Sequence, residues 1–238
     1  MEEKRISVCM ATFNGAKYVR QQIESILVQL GESDEIVVSD DSSTDNTIEV
    51  IQSINDKRIR LLTGMHFRNP VYNFEHALGQ AKGEYIFLSD QDDIWLDGKI
   101  DAVMTAFNKA DVVVTDCKIV DDNLNIITES YFAFKKSRRG LIRNLLSNTY
   151  LGCCMAFRRK ILDKALPFPD KLPMHDIWLG FISELFYECT FLHEPYILHR
   201  RHLANSSSVS ERSEATLWQK IGFRWNTIKH WPAVLLRK

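Results

Sequence analysis

The segment Tyr85-Ile86-Phe87-Leu88-Ser89-Asp90-Gln91-Asp92-Asp93-Ile94-Trp95 carries the clearest chemistry in the chain, because an apolar run ends abruptly in three carboxylates within four residues. Clustered anions repel one another, and a strand end tolerates them mainly when a hard divalent cation sits among them. Asp90 and Asp92 lie two apart, so in an extended turn both can face one ion, directly or through water, while the ion bridges two phosphate oxygens. Mg²⁺ and Mn²⁺ are usually held by such carboxylates together with substrate phosphates. A plain acidic loop would have polar flanks, whereas this one is clamped between Ile86-Phe87-Leu88 and Ile94-Trp95.

The elements that must position this turn follow from hydrophobic periodicity. Ile6 to Ala11 reads as a buried strand, Ala16 to Leu30 as a helix with Val19, Ile23, Ile26, Leu27 and Leu30 on one stripe, and Glu35 to Ser39 as a second strand. A helix carrying Ile48, Val50 and Ile51, capped by Thr44 or Asp45, precedes a third strand at Ile59 to Leu62. A helix from about Tyr72 to Ala81 then leads into the strand Tyr85 to Ser89. Four βα repeats with continuously apolar strands predict a parallel sheet covered on both faces. Further on come a helix near Asp97 to Asn108, a strand at Val112 to Thr115, and a hairpin turning at Asp121-Asp122-Asn123. The second half is less regular: Leu141 to Leu146 reads as helix, Cys153 to Phe157 as strand, Ile177 to Phe186 as helix and Phe191 to Leu198 as extended chain. Arg201 to Arg212, with four serines, reads as a mobile loop.

Ligands of an open parallel sheet gather outside the carboxyl ends of its strands. Two more polar clusters fall there. At Thr12-Phe13-Asn14-Gly15, the Thr12 hydroxyl and backbone N–H groups can meet a nucleotide, Gly15 allowing close approach; a simple capped strand-to-helix turn is the alternative. At Asp40-Asp41-Ser42-Ser43 one Asp suffices as a cap, and the other, Asp41, can accept the imide N–H of uracil or thymine; a solvated Asx turn is the alternative. Topology would bring all three clusters to one cleft. Asp176, at the start of an apolar helix, is placed either to cap that helix or to take a proton from an attacking hydroxyl.

Cys9-Met10-Ala11-Thr12-Phe13-Asn14-Gly15, Ser39-Asp40-Asp41-Ser42-Ser43-Thr44-Asp45 and Asp90-Gln91-Asp92-Asp93-Ile94-Trp95 together resemble family 2 glycosyltransferases with the GT-A fold, in order and in spacing. The Gln-Asp-Asp-Ile-Trp form further resembles the bacterial rhamnosyltransferase-like branch, whose donors are typically deoxythymidine-diphosphate sugars. The likeness runs from residue 6 to about 210. It implies Thr12, Asn14 and Asp41 at the nucleotide, Asp90 toward the ribose or metal, and Asp92 as direct ligand of Mn²⁺ or Mg²⁺. It further implies that Asp176 in Met174-His175-Asp176-Ile177-Trp178 is the general base, with His175 in place of the usual acid before it. Gly152-Cys153-Cys154 is similar to the segment lining the sugar pocket, where Gly152 lets backbone approach the donor. His199-Arg200-Arg201-His202-Leu203-Ala204-Asn205 is similar to the family's Arg-x-His-x-x-Asn ending, which implies His202 on the metal and Arg200 or Arg201 at the diphosphate.

The expected fold is therefore α/β of GT-A type: a Rossmann-like, mostly parallel central sheet with helices on both faces and a smaller acceptor-side region. Residues 1–212 form the domain, 1–116 as nucleotide-binding half and 117–212 as acceptor and catalytic half, with 213–238 as a helical tail. The expected reaction is inverting transfer of a sugar from a nucleoside-diphosphate donor to a hydroxyl of a glycan or lipid-linked oligosaccharide. A nucleotidyltransferase making nucleotide sugars is a rival, but it normally needs a Gly-rich basic loop after the first strand, which Thr12 to Gly15 lacks. A non-catalytic nucleotide-sugar binder is the other.

Composition sets outer bounds. With 30 basic and 31 acidic residues and a net charge of -1, the chain has no basic field suited to nucleic acid. Its five cysteines include no CxxC pair, which favours buried free thiols in a reducing cytosol. No apolar stretch nears the roughly 20 residues that span a bilayer. The tail from Thr216 to Lys238 lacks acidic residues and carries Trp218, Trp225 and Trp231 beside five Lys or Arg, so it is expected either to lie on an anionic membrane surface or to pack on the core.

Overall fold

The computed structural model describes residues 5–146, 148–202, 222, 229–235 and 237. The elements in chain order are β1 (Ile6–Thr12), α1 (Val19–Leu27), β2 (Glu35–Asp40), α2 (Thr47–Ile54), β3 (Ile59–Leu62), α3 (Pro70–Gln80), β4 (Tyr85–Ser89), β5 (Ile94–Trp95), α4 (Lys99–Ala106), β6 (Val112–Val120) and β7 (Ile126–Thr128). There follow α5 (Tyr131–Lys135), α6 (Leu141–Leu146), β8 (Met155–Arg158), α7 (Lys160–Ala165), α8 (His175–Phe186), β9 (Cys189–Arg200) and α9 (Trp231–Leu235).

The strands make one sheet in the order β3-β2-β1-β4-β8-β6-β9-β5, with β7 added to β6. From β3 to β4 every pairing is parallel. Every residue of β2 is buried, as two helix-covered faces require. Ile36, Val37 and Val38 are fully buried, each worth about 1.5–3 kcal/mol relative to exposure. Beyond β4 the sheet is mixed: β8 runs antiparallel to both β4 and β6, while β9 runs parallel to β6. The parallel order expected from the βα repeats thus holds for the first half, and the irregular second half closes the sheet with reversed strands.

Element boundaries differ from the sequence reading for local reasons. Helix α1 starts three residues late, because Gly15 O accepts from both Tyr18 N and Val19 N in a turn that precedes it. Helix α3 starts earlier, where Asn69 Oδ1 accepts from Val71 N and Pro70 opens the first turn. Strand β6 runs to Val120 and β9 to Arg200, because the two pair along most of their length, a long-range match that no local pattern encodes. The expected hairpin is present, its turn held by Asp121 Oδ1 accepting from Asn123 N and Asn125 N. All five cysteines are free and buried, as expected.

Of the expected tail helix, the described part is short. Helix α9 packs on α7, with Val234 buried and Arg237 Nη1 donating to Lys164 O. Trp231 is exposed there. The expected loop beyond His202, with Asn205, and the helix positions of Trp218 and Trp225 lie outside the described residues. Among the described residues no helix is long and apolar enough to cross a membrane.

Candidate active site

The register of β1 brings the polar turns together. Thr12 lies opposite Asp40 on β2, and Met10 lies opposite Ser89 on β4, so the three turns leave the sheet side by side. They open on a cavity of about 770 Å³. Thr12, Asp41, Asp90 and Asp92 line it from these turns; Arg68, Asn73 and Phe74 line it from the region after β3; Met174, His175 and His199 line it from the second half.

The two aspartates after β2 divide the work. Asp40 is fully buried and accepts from Thr12 Oγ1 at 2.9 Å, Ser43 N at 2.8 Å and Ser43 Oγ at 2.6 Å, so it builds the turn. Asp41 faces the cavity while its oxygens accept from Phe67 N at 2.5 Å and Asn69 N at 3.2 Å, which ties the loop before α3 to the sheet. An ionised carboxylate has about four acceptor positions, so two remain for a ligand. Asn14 does not line the cavity: its Oδ1 accepts from Thr44 N at 2.8 Å and clasps the two turns together. Nor is Gly15 open to a nucleotide. Gln91 fills that space, with Oε1 accepting from Phe13 N at 2.9 Å and Nε2 donating to Phe13 O at 3.0 Å; a Cβ on Gly15 would lie 2.3 Å from that Oε1. Asn14, Ser42 and Arg68 all adopt positive φ around this rim, a conformation uncommon outside glycine and frequent at functional sites.

The acid-rich turn is more elaborate than its sequence suggests. Asp93 is buried, with Oδ1 accepting from His199 Nδ1 and from Arg200 N, both at 3.0 Å. Asp92 Oδ2 meets His202 Nε2 at 2.9 Å, and the His202 ring stacks on Tyr18 with centroids 4.7 Å apart. Ligand-capable atoms of Asp90, Asp93, Cys153 and His199 lie within 4.8 Å of one another. Burial and then the charges of Asp93 and Asp92 push the Asp90 carboxyl well above the usual range; burial and then Asp93 push Asp92 up as well. For Asp93 burial acts upward but the His199 imidazole outweighs it, and the carboxyl is held below the usual range. Burial lowers His199, and Asp93 overcomes it to raise the imidazole to about 9. Behind the cluster Lys99 is buried, donating to Cys153 O at 3.1 Å and lying 3.8 Å from the Trp95 ring centroid. Burial lowers its amine to about 8.

These residues fit a hard divalent cation. Asp93 Oδ2 and His199 Nε2 are buried without a hydrogen-bond partner among the described residues. Two carboxylates with raised proton affinity are relieved by any cation placed among them. The carboxylate oxygens gathered at this turn suit a hard cation such as Mg²⁺ or Mn²⁺.

Across the cavity, Asp176 sits within the first turn of α8 rather than at its cap, which is Met174. It accepts from Ile177 N at 2.6 Å and from the Gly152 N–H, and burial raises its carboxyl to about 7. The neighbouring His175, not Asp176, lines the cavity. Gly152 does not line it either. A Cβ there would lie 2.6 Å from His175 Nε2, so the glycine makes room for that imidazole and not for a ligand.

Arg200 is not among the residues lining the cavity. Its Nε donates to Asp92 O, Nη1 to Asp122 O and Nη2 to Gln21 Oε1, each at 2.9 Å, and its guanidinium lies 4.9 Å from the Tyr18 ring centroid. It braces the acid turn from behind. Arg201 donates its backbone N–H to Val120 O and lies outside the cavity lining, as His202 does. Among the described residues the arginine lining the cavity is Arg68, which sequence reasoning passed over because one Arg in a polar loop carries no signal. Asp93 and His199 were visible within their motifs, but a pairing across 106 positions is not.

Glycosyl transferase family 2 is the family whose model matches, over residues 7–166. The GalNAc(5)-diNAcBac-PP-undecaprenol beta-1,3-glucosyltransferase of Campylobacter jejuni is 31% identical over 217 residues, covering 89% of this chain and 69% of that protein. The dTDP-rhamnosyl transferase RfbG of Shigella flexneri is 27% identical over 221 residues, covering 82% of this chain and 72% of that protein. Among solved structures, S. aureus TarS 1–349 in complex with UDP-GlcNAc superposes with a TM-score of 0.70 at 22% identity, covering 87% of this chain and 61% of that one. The chain thus spans about 60% of the length of the TarS 1–349 structures, and it shares their GT-A fold. With the family model matched over two thirds of its length and this sheet, turn order and cavity in place, the chain belongs to glycosyltransferase family 2.

Proposed function

We propose that the protein is an inverting, metal-dependent glycosyltransferase that moves a sugar from a uridine- or deoxythymidine-diphosphate donor to a hydroxyl of a glycan or lipid-linked saccharide. The observation that carries this reading is one cavity lined by the ends of β1, β2 and β4 on one side and the first turn of α8 on the other. Two relatives named for undecaprenol-linked and dTDP-rhamnosyl transfer, and a neighbour complexed with UDP-GlcNAc, support the choice of substrates. Rhamnose as the sugar rests on the Gln91-Asp92-Asp93-Ile94-Trp95 motif and on the second of those relatives.

In this reading Asp41 uses its remaining acceptor positions for the base imide, Thr12 borders the nucleoside, and Arg68 supplies the positive charge near the phosphates. Asp92, Asp90 and His202 would hold Mn²⁺ or Mg²⁺, and the cation would supply positive charge against the departing nucleoside diphosphate. Arg200 and the Asp93–His199 hydrogen bond brace the acid turn, and Asp93 and His199, grouped with Asp90, would share in holding the cation. Asp176 accepts the proton of the acceptor hydroxyl, whose oxygen attacks C1 from the face opposite the diphosphate. The C1–O bond breaks in the same displacement, so configuration inverts and no covalent enzyme intermediate forms. A carboxyl near 7 suits a base working at neutral pH.

The test is product analysis with a panel of nucleotide sugars, Mn²⁺ or Mg²⁺, and saccharide acceptors. Release of nucleoside diphosphate with an inverted anomeric centre is expected, and Asp92→Asn should lose cation-dependent donor binding. Pyrophosphate release, a retained configuration, or unchanged cation dependence in Asp92→Asn would each refute the assignment they address.

A further inference from the structure

His175 is the residue that the proposed reaction leaves without a task. Its side chain is 3% exposed and borders the cavity beside Met174 and Phe74. Its ring stacks on Phe74 with centroids 4.0 Å apart and 28° between planes, and Gly152 closes beneath it. Both Nδ1 and Nε2 are buried, and neither has a hydrogen-bond partner among the described residues. Buried imidazoles are normally satisfied, so two orphaned nitrogens at a cavity wall mark the place where a ligand atom belongs.

We propose that His175 recognises a saccharide hydroxyl at the reacting end of the cavity and so determines which sugar is accepted, a deepening that rests on the function proposed above. A neutral imidazole presents an N–H donor at one nitrogen and a lone pair at the other, so either nitrogen can pair with an alcohol, which accepts from the first or donates to the second. Burial holds the His175 imidazole down at about 3, so the ring is neutral throughout the physiological range. A phosphate is a poor match because it offers only acceptors and the Asp90–Asp92 turn lies in the same cavity. Asp176 follows His175 in the first turn of α8, so a saccharide held through one hydroxyl at the imidazole lies at the same end of the cavity as the carboxyl that would take the proton of the attacking hydroxyl.

The hydroxyl can come from the donor sugar or from the acceptor, and steady-state kinetics separates the two. His175→Phe keeps the ring, the stacking and the volume but removes both nitrogens; His175→Asn returns a donor and an acceptor. Nucleoside-diphosphate affinity and melting temperature serve as readouts of an intact nucleotide end. The expected result is a 10- to 100-fold loss of kcat/KM in His175→Phe, expressed mainly in KM, partly restored in His175→Asn, with nucleotide affinity within about twofold of wild type. If donor KM rises and donor hydrolysis falls, the hydroxyl belongs to the donor; if acceptor KM alone rises, it belongs to the acceptor. A deoxy substrate lacking that hydroxyl should be used equally by wild type and His175→Phe. Wild-type kinetics in His175→Phe, or a loss matched by equal losses in nucleotide affinity and melting temperature, would overturn the inference. Absence of sugar transfer by the wild type across the panel would instead overturn the proposed function.

Discussion

Gly152→Ala tests whether this glycine serves the donor or the imidazole. The added methyl would sit 2.6 Å from His175 Nε2, 3.4 Å from Cε1 and 3.6 Å from Cδ2. Ordinary contact is near 3.5–4.0 Å, so ring and backbone must part by roughly 1 Å, and the ring cannot retreat freely because Phe74 stacks on it. Overpacking of this kind costs about 1–3 kcal/mol; near 2 kcal/mol, a chain of this size should melt roughly 4–8 °C lower. The same shift moves the Gly152 N–H away from Asp176, and misplacement of about 1 Å at a reacting group can cost roughly 10²-fold in rate. The assay is a double-mutant cycle by thermal melting, with Gly152→Ala made in wild type and in His175→Ala. With the ring gone the methyl has space, so its cost in that background should fall to about 0.5 kcal/mol or less. An equal melting loss in both backgrounds would refute the steric argument and return Gly152 to a role at the ligand.

Other outcomes follow from the same geometry. Asp176→Asn should abolish transfer while leaving nucleotide affinity intact, and above pH 7 it should melt no lower than wild type. The sign is set by the folded carboxyl, raised to about 7 from 3.8: wild-type stability is lost as pH rises from the unfolded value through the folded one, whereas an amide never charges. A melting deficit at pH 8 would contradict this. Activity should run the other way, with kcat/KM falling about tenfold per unit below the pKa of Asp176, near pH 7 and lower when a cation sits beside Asp90; a flat profile from pH 5 to 8 would remove Asp176 as base. Arg200→Ala strips the donor from Asp92 O behind the acid turn and from two acceptors on the exposed residues Asp122 and Gln21, and should cost about 1–3 kcal/mol, a melting drop of roughly 2–12 °C. An unchanged melting temperature with a raised donor KM would show Arg200 to be a phosphate ligand after all.

The alternation of apolar strands and amphipathic helices from Ile6 to Ser89 was enough to specify the parallel half of the sheet, because each βα unit states its own period locally. The order of polar turns likewise placed Thr12, Asp41, Asp90 and Asp92 at one cavity, since strand ends of a parallel sheet converge whatever their spacing in the chain. What depended on tertiary structure was which member of each motif faces a ligand and which holds the fold. Asn14, Gly15, Gly152 and Arg200 carry the right residue types for a donor site, yet they contact Thr44, Gln91, His175 and the back of the acid turn. Those contacts join residues 30 to 108 positions apart, or depend on a single missing methyl, so neither periodicity nor composition encodes them. The reversed strand β8 between β4 and β6, the Asp93–His199 pair and the imidazole of His175, unpartnered among the described residues, arise the same way: each is a consequence of close packing between segments that are distant in the chain, and only the assembled molecule decides it.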